Sequence, residues 1–255
     1  MKGLIAAGGR ATRLAELTRV TNKHLLPVGS WPMVYYPLQL LQRIGVREVL
    51  LVTGQQHAGQ FIDLLGNGHV ASRDGDEVLF DLDLSYKVQV EAGGIAQVVG
   101  MARDFAAGEK LVVCLGDNIF EHAQRDAIAS WDGGALVFAK EVPDPENFGV
   151  VVYGDDGAVV DVVEKAGVVD MRYDAPPSSD AIVGLYCYPP DVFDVIDTLA
   201  PSSRGELEIT DVNRAYAQRG ALEVRQVEGW WHDGGKHWAD LAEVGRLIEQ
   251  TGANK

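Results

Sequence analysis

The sequence predicts an α/β protein with a mostly parallel central sheet covered by helices on both faces. Three observations lead there. Short apolar runs alternate with segments of helical periodicity as far as Ala139. The resulting βαβα order implies parallel strands joined by crossover helices. From Gly149 onward the strands become closely spaced, which reads as a small antiparallel insertion.

Lys2–Ala7 (KGLIAA) opens the series as a buried strand, and Glu48–Thr53 (EVLLVT) follows as the second. Tyr86–Val90, Lys110–Leu115 and Ala135–Ala139 continue it. The helical segments between them are Pro37–Ile44, Ala58–Leu65, Ile95–Phe105 and His122–Trp131. The insertion consists of Val150–Tyr153, Val159–Glu164 and Ala181–Tyr188. Helices over Asp191–Leu199 and Leu207–Gln218 come next, and a last one runs from about Lys236 to Gln250. Ala175–Ser179 (APPSS) reads as a surface loop and not a boundary, so residues 1–255 are expected to form one domain.

At 255 residues the chain can bury a substantial core without covalent staples. Its net charge of −15 argues against nucleic acid or an anionic membrane as partner. Residues 1–24 run against that trend. Lys2, Arg10, Arg13, Arg19 and Lys23 face one acid, Glu16, a balance of +4 that leaves −19 on the remainder. Either this is a solvated basic face or a small anion is collected there. Cys114 and Cys187 each sit in an apolar run, as expected of reduced core residues in a cytoplasmic protein. The N-terminal MKGLIAAGGR is too short and glycine-rich for a signal peptide, and no apolar run is long enough to span a membrane.

The stretch AAGGRATRL follows the first strand, where open parallel sheets bind ligands. It matches neither G-x-G-x-x-G nor the P-loop pattern. Arg13 and Lys23 would add side-chain charge to the backbone N–H groups that usually hold phosphate. A glycine pair after a strand is also a common turn. Asp117 in CLGDNIF directly follows an apolar strand, and could bind Mg²⁺ or serve as a helix cap or turn residue. Asp233 in WWHDGGKHW offers the same two readings. Glu164 and Lys165 in VVEKA could reach a sugar hydroxyl and a phosphate, or decorate the surface.

Taken together, AAGGRATRL, TNKHLLPV, MVYYPL, YKVQVEAGGIAQV, LGDNIF, ENFGVV, VVEK, VGLY, SRGELEITDVN and WHDGGKH give the chain its resemblance. From Met1 to about Ile248 it resembles the sugar-1-phosphate nucleotidylyltransferases, most closely their glucose-1-phosphate thymidylyltransferase branch. The resemblance implies a Rossmann-like, GT-A-like fold. The part up to about residue 140 would bind nucleotide, about 141–235 would bind sugar phosphate, and a C-terminal helix would close the domain. It also implies roles for particular residues. Gly8, Gly9, Arg13 and Lys23 match positions that hold the nucleoside triphosphate. Gln89 matches a glutamine that reads the pyrimidine edge, and Gly94 a glycine lying against the base. Asp117 and Asp233 match Mg²⁺ ligands. Gly149, Glu164 and Val183 match sugar-contacting positions, and Lys165 the lysine that binds the sugar phosphate.

The implied reaction is attack of a sugar-1-phosphate oxygen on the α-phosphorus of dTTP or UTP, with pyrophosphate leaving. Arg13, Lys23, Asp117, Lys165 and Asp233 would form its catalytic set, aided by Mg²⁺. A homo-oligomer, dimer or tetramer, is implied as well. The chain departs from the family pattern at Ala11, Glu16, Phe148, the VEAG loop Val90–Gly93 and the Ile182–Val183 pair. These departures bear on the phosphate loop and on the choice of sugar. The chain also stops soon after the last helix, which predicts weak or absent feedback inhibition and a smaller assembly. His24, His232 and His237 are expected to be packing or hydrogen-bonding residues. A Rossmann oxidoreductase would need a third glycine and an acidic end to the second strand, where this chain has LLVTGQQ. A catalytically silent binding protein on the same fold would have little use for the full set of metal and phosphate ligands.

Overall fold

The computed structural model describes residues 1–9, 14, 16–72, 74–235 and 237–255. Arg10, Ala11, Thr12, Arg13 and Lys236 lie outside the described residues, so the proposed phosphate arginine has no structural account here. The chain divides into two compact units: Met1–Ala92 with Val112–Ala129 and Glu228–Lys255, and Gly93–Leu111 with Ser130–Val227. Among the described residues no helix is long and apolar enough to cross a membrane.

The first unit is built on β1 (Lys2–Ala7), β4 (Glu48–Gly54), β7 (Asp83–Gln89) and β8 (Leu111–Leu115), in the spatial order β8-β1-β4-β7. β1 and β4 pair in parallel with Ala7 opposite Thr53, and β4 and β7 pair in parallel with Gly54 opposite Gln89. Leu4, Ile5, Val49, Leu51 and Val52 are fully buried, as continuous apolar runs in a two-sided parallel sheet should be. The chain moves outward from β1 to β4 and β7, then returns to the other flank of β1 as β8. The strand order therefore reverses between β1 and β8, and ligand crevices form at the carboxyl ends of strands at such a reversal.

Crossovers and short hairpins cover this sheet. They are β2 (Pro27–Val28) with β3 (Trp31–Pro32), α1 (Tyr35–Arg43), α2 (Ala58–Leu65), and β5 (His69–Ala71) with β6 (Val78–Asp81). β9 (Asn118–Phe120) follows β8 after two residues, and α5 (Arg125–Ala129) completes the central part of the unit. The helix expected over 122–131 is confined to α5. Gln124 adopts a left-handed conformation (φ 56°) and donates to the His122 and Glu228 carbonyls, which fixes a non-helical entry. β15 (Trp231–Asp233) and α8 (Trp238–Thr251) come from the C-terminal segment. His237 caps α8 by accepting from Ala239 N, while Asp240 accepts from His237 N. The capping role open to Asp233 in the sequence therefore falls to His237.

The second unit carries β10 (Ala135–Glu141), β11 (Gly149–Tyr153), β12 (Val159–Glu164), β13 (Asp180–Tyr188) and β14 (Leu222–Gln226). β11–β12, β11–β13 and β10–β13 are antiparallel, as the close strand spacing predicts. β14, a strand that the hydrophobic pattern does not predict, pairs in parallel with β10. Its residues range only from half-buried to exposed, so its hydrophobic signal is weak. The helix expected over 95–105 is two, α3 (Ile95–Met101) and α4 (Arg103–Ala106). Val98, Val99 and Gly100 are weak helix formers directly before the break. α6 (Val192–Asp197) and α7 (Ile209–Gln218) complete the unit. α7 buries Tyr216 and packs along β12, with Tyr188 donating to Asn213 Oδ1 at 2.6 Å.

Candidate active site

The register of β1, β4 and β7 aligns three strand ends, and the chain leaves each with small or polar residues. Gly8 and Gly9 follow β1, Gln55–His57 follow Gly54 at the end of β4, and Val90–Ala92 follow Gln89 at the end of β7. Together with Asn22, residues from these three turns line a cavity of about 480 Å³. Gln89 lines it and is only 8% exposed. Gly8 must be glycine for that to hold, because a Cβ there would lie 2.8 Å from Gln89 Oε1. Gly9 adopts φ +103°, a conformation glycine reaches without strain. A polar cavity with an amide at its wall suits a flat heterocycle bearing both donors and acceptors.

Asn22 leads directly to Lys23, which starts a short 3₁₀ turn. The Asn22 side chain caps that turn, accepting from His24 N at 3.0 Å and lying 2.6 Å from His24 Nδ1, and its Nδ2 donates to the Ala7 carbonyl. Asn22 thus ties Lys23 to the end of β1. His24 is fully buried with its ring against Gly116, where a Cβ would clash at 2.7 Å. Burial, with the Lys23 ammonium adding to it, lowers the His24 pKa to about 3.

Lys23 Nζ forms an ion pair with Asp117 Oδ2. Asp117 Oδ1 accepts from Asn118 Nδ2 at 3.0 Å. Burial works to raise the Asp117 pKa, but nearby positive charge, Lys23 foremost, and the hydrogen bonds from Lys23 and Asn118 together outweigh it and hold the carboxyl well below the ordinary carboxylate range. Asp117 is therefore ionised at any physiological pH. β9 pairs antiparallel with β15, with Asn118 opposite Asp233, and Gly234 N donates to the Asp117 carbonyl at 2.9 Å. This two-stranded ladder brings the two aspartates from distant parts of the sequence to neighbouring backbone positions. Asp233 Oδ1 accepts from Gly235 N at 3.0 Å. A Cβ at Gly235 would fall 2.5 Å from Asp117 Oδ2 and 2.7 Å from Lys23 Nζ, so glycine keeps the space around the carboxylate open. Behind the ladder lie Val28, Met33, Tyr36, Ile119 and Val244. Met33 Cε would meet a Cβ at Gly234 at 3.2 Å, so the apolar cluster packs right up to the turn carrying Asp233.

The two carboxylates, carried at neighbouring backbone positions, would together offer hard oxygen donors. That fits Mg²⁺, which takes one or two protein carboxylates and fills its remaining positions with phosphate oxygens and water. No group of three or more His, Cys, Asp or Glu residues arranged to hold a metal occurs among the described residues, so this pair would need a phosphate ligand to complete the shell.

The remaining predicted residues lie in the second unit. Gly149 pairs with Glu164 across β11 and β12, and a Cβ at Gly149 would meet Thr210 Oγ1 at 2.8 Å and Glu164 Oε2 at 3.2 Å. Thr210 donates to Glu164 Oε2. Glu164 Oε1 lies 3.5 Å from Arg204 Nη2 and 3.7 Å from Lys165 Nζ, so one carboxylate stands between two cations. Lys165 itself takes a left-handed backbone conformation (φ +42°), at a cost of roughly 1 kcal/mol for a residue with a Cβ. Val183 is 1% exposed within β13, two residues beyond the Val150–Ala181 bridge. Gly94 has φ +94° and caps α3, and a Cβ there would overlap the Leu207 carbonyl. Backbone packing therefore accounts for that glycine. The structure brings Gly8, Gly9 and Gln89 together, gathers Lys23, Asp117 and Asp233, and groups Gly149, Glu164 and Lys165.

Arg204 and Thr210 were not singled out from the sequence, although both lie in the SRGELEITD block. The signal available was that block's density of charge just ahead of a helix. Only the fold shows that its side chains converge on Glu164.

A glycine turn, a polar cavity and paired carboxylates at the carboxyl edge of a parallel sheet define a nucleotide-handling α/β protein. Comparison narrows the class. Residues 2–251 match the nucleotidyl transferase family, and the chain belongs to it, an enzyme family. It is 38% identical over 254 residues to a glucose-1-phosphate thymidylyltransferase of Xanthomonas campestris pv. campestris, covering 97% of this chain and 80% of that one. The glucose-1-phosphate thymidylyltransferase of Neisseria meningitidis is 38% identical over 256 residues, covering 98% and 83%. A Bacillus anthracis protein assigned as a glucose-1-phosphate thymidylyltransferase, solved with a sucrose, superposes with a TM-score of 0.83. It is 39% identical, and the match covers 97% of this chain and 94% of that one.

Proposed function

We propose that the protein transfers a nucleoside monophosphate, dTMP from dTTP, to a sugar-1-phosphate, glucose-1-phosphate, releasing pyrophosphate and forming a dTDP-sugar. The observation that carries this reading is the Asn118–Asp233 strand pair that sets Asp233 next to Asp117, with Lys23 on Asp117, beside a cavity walled by Gln89. The names of the Xanthomonas and Neisseria relatives support the choice of both substrates.

In this reading the cavity takes the pyrimidine. The Gln89 amide accepts from N3–H and donates to O4, a pattern shared by thymine and uracil. The Gly8–Gly9 turn receives the phosphates through backbone N–H groups, with Arg13 assigned to the same task. Asp117 and Asp233 would hold Mg²⁺, which when bound would neutralise phosphate charge and align the α-phosphate. Lys23 supplies a cation beside that point. Because Asp117 is ionised and already paired, its charge is in place before substrate arrives. Glu164 takes a sugar hydroxyl, and Lys165 the sugar phosphate.

The attacking phosphate is ionised at neutral pH, so no protein base is required. The main obstacle is repulsion between two anions, which fixed cations and positioning reduce. Neutral, buried His24 takes no proton and acts through its hydrogen bond to Asn22.

The test is pyrophosphate release with Mg²⁺, crossing dTTP, UTP, CTP, ATP and GTP with a panel of sugar-1-phosphates. Release with dTTP and glucose-1-phosphate is expected. Turnover restricted to another sugar would move the substrate assignment to Phe148, Ile182 and Val183. Folded protein that binds dTTP yet releases no pyrophosphate with any sugar would overturn the proposal.

A further inference from the structure

The second unit contains a dense charge cluster that the proposed reaction does not use. Arg214, on α7, donates through Nε to Asp161 Oδ1 and to the Val162 carbonyl, both at 3.1 Å. Its Nη1 pairs with Asp211, and its Nη2 donates to Asp170 Oδ2 at 2.7 Å. Arg172 grips Asp170 from the other side through Nε and Nη2, and reaches Asp161 through Nη1 at 2.7 Å. The Arg214 side chain is 20% exposed and that of Asp170 is 9% exposed, whereas Arg172 is 47% exposed. Arg214 is therefore the sheltered hub and Arg172 the outer clasp.

Asp170 is more than an ion-pair partner. Its backbone N donates to the Glu164 carbonyl at 3.0 Å, and its carbonyl accepts from Gly167 N at 3.0 Å. Within the turn so closed, the Lys165 carbonyl accepts from both Val168 N and Val169 N, and Lys165 N donates to the Phe148 carbonyl. Lys165 keeps its left-handed backbone inside this turn. A non-glycine residue holds such a conformation only where its surroundings over-determine it. The Asp170 side chain, held from α7, is the tertiary anchor of the turn. The same helix also carries Thr210, which orients the neighbouring Glu164.

We propose that Arg214 is a positioning residue for the sugar phosphate: by fixing Asp170 it locks the 164–170 turn and so aims Lys165 from its left-handed position. The inference rests on the proposed function, in which Lys165 binds that phosphate. Arg214 touches no substrate and acts through two intermediaries. Its planar, five-donor guanidinium meets four acceptors at once, which an ammonium cannot reproduce.

The experiment measures kcat and KM for each substrate, with thermal melts, in wild type, Arg214→Lys, Asp170→Asn and Arg172→Met. Arg214→Lys is expected to raise KM for glucose-1-phosphate about tenfold or more while KM for dTTP stays within about twofold. Asp170→Asn keeps an acceptor for Arg214 and should shift the sugar-phosphate KM in the same direction by less. Arg172→Met leaves the Arg214–Asp170 bond intact and should stay within about twofold for both substrates. If Arg214→Lys fails to fold, Asp170→Asn carries the same test. The inference is overturned if Arg214→Lys and Asp170→Asn lower the melting temperature but leave the sugar-phosphate KM unchanged. It is equally overturned if they raise both KM values alike. Wild-type protein without turnover on any sugar-1-phosphate overturns the functional reading itself, and the inference with it.

Discussion

Replacing Gly8 by alanine tests the cavity at its most constrained point. The added Cβ would lie 2.8 Å from Gln89 Oε1, where ordinary contacts begin near 3.4 Å, so the amide must retreat by about 0.6 Å. Gly8 lies outside the left-handed region, and the atom in the way is the end of a flexible side chain, so the backbone need not move. Stability should fall by less than about 1 kcal/mol. Base recognition should suffer more. Two hydrogen bonds from one amide, each worth roughly 0.5–1.5 kcal/mol, put about 1–3 kcal/mol at risk. At 1.4 kcal/mol per decade, that is a rise in KM for dTTP of roughly 5- to 150-fold. Steady-state pyrophosphate release at saturating glucose-1-phosphate reads it directly. Gln89→Leu should give a similar rise, and the double variant should add little, because both changes remove the same contacts. An unchanged KM in Gly8→Ala, or full additivity with Gln89→Leu, would refute the assignment of Gln89 as the reader of the base.

Three further outcomes follow from the geometry. Asp233→Asn should raise the Mg²⁺ concentration for half-maximal rate by about tenfold or more at nearly unchanged melting temperature. Asp117→Asn should add a stability loss of roughly 1–3 kcal/mol, because it removes the charge from a largely sheltered ion pair with Lys23; equal melting temperatures for the two variants would count against this. The folded-state pKa of His24, about 3, lies below its unfolded value of 6.5, so stability is full above pH 6.5 and declines as pH falls toward 3. His24→Asn should remove that decline, narrowing the gap to wild type by about 2–3 kcal/mol between pH 6.5 and 4.5 in denaturant titrations, whereas parallel curves would contradict it. Gly94→Ala combines a left-handed backbone with a clash on Leu207 and should cost about 2–4 kcal/mol. Gly9→Ala, whose Cβ would meet no atom of the described residues within 4 Å, should cost only about 1–2 kcal/mol; similar losses at both positions would show that the clash carries no weight.

The parallel strands were legible because burial on both faces demands unbroken apolar runs, and EVLLVT and LVVCL supply them. Ala58–Leu65 and Val159–Glu164 fall at the boundaries their periodicity predicts. The two-residue strands of the 27–32 hairpin, β9, β14 and β15 were not legible. They are too short or too exposed for a pattern of period two to stand out. The candidate site divides along the same line. The glycine turn and the two aspartates could be named from motifs that sit at strand ends, and Gln89 through the family resemblance. The convergence of Arg204 and Thr210 on Glu164, and of Arg214 on Asp161, Asp170 and Asp211, could not.

By itself the sequence determined the class of fold, the strand whose end carries the glycine turn, and the chemical types available for phosphate, metal and base. Those are local properties, set by hydrophobic period and by which residues follow a strand. The tertiary structure decided that Asp233 stands beside Asp117, since 116 positions of chain separate them and only the β9–β15 ladder closes that gap. It also decided that α7 reaches back to the turn holding Lys165. Pairing register and helix docking depend on burial summed over whole elements, and no short stretch of sequence contains that sum.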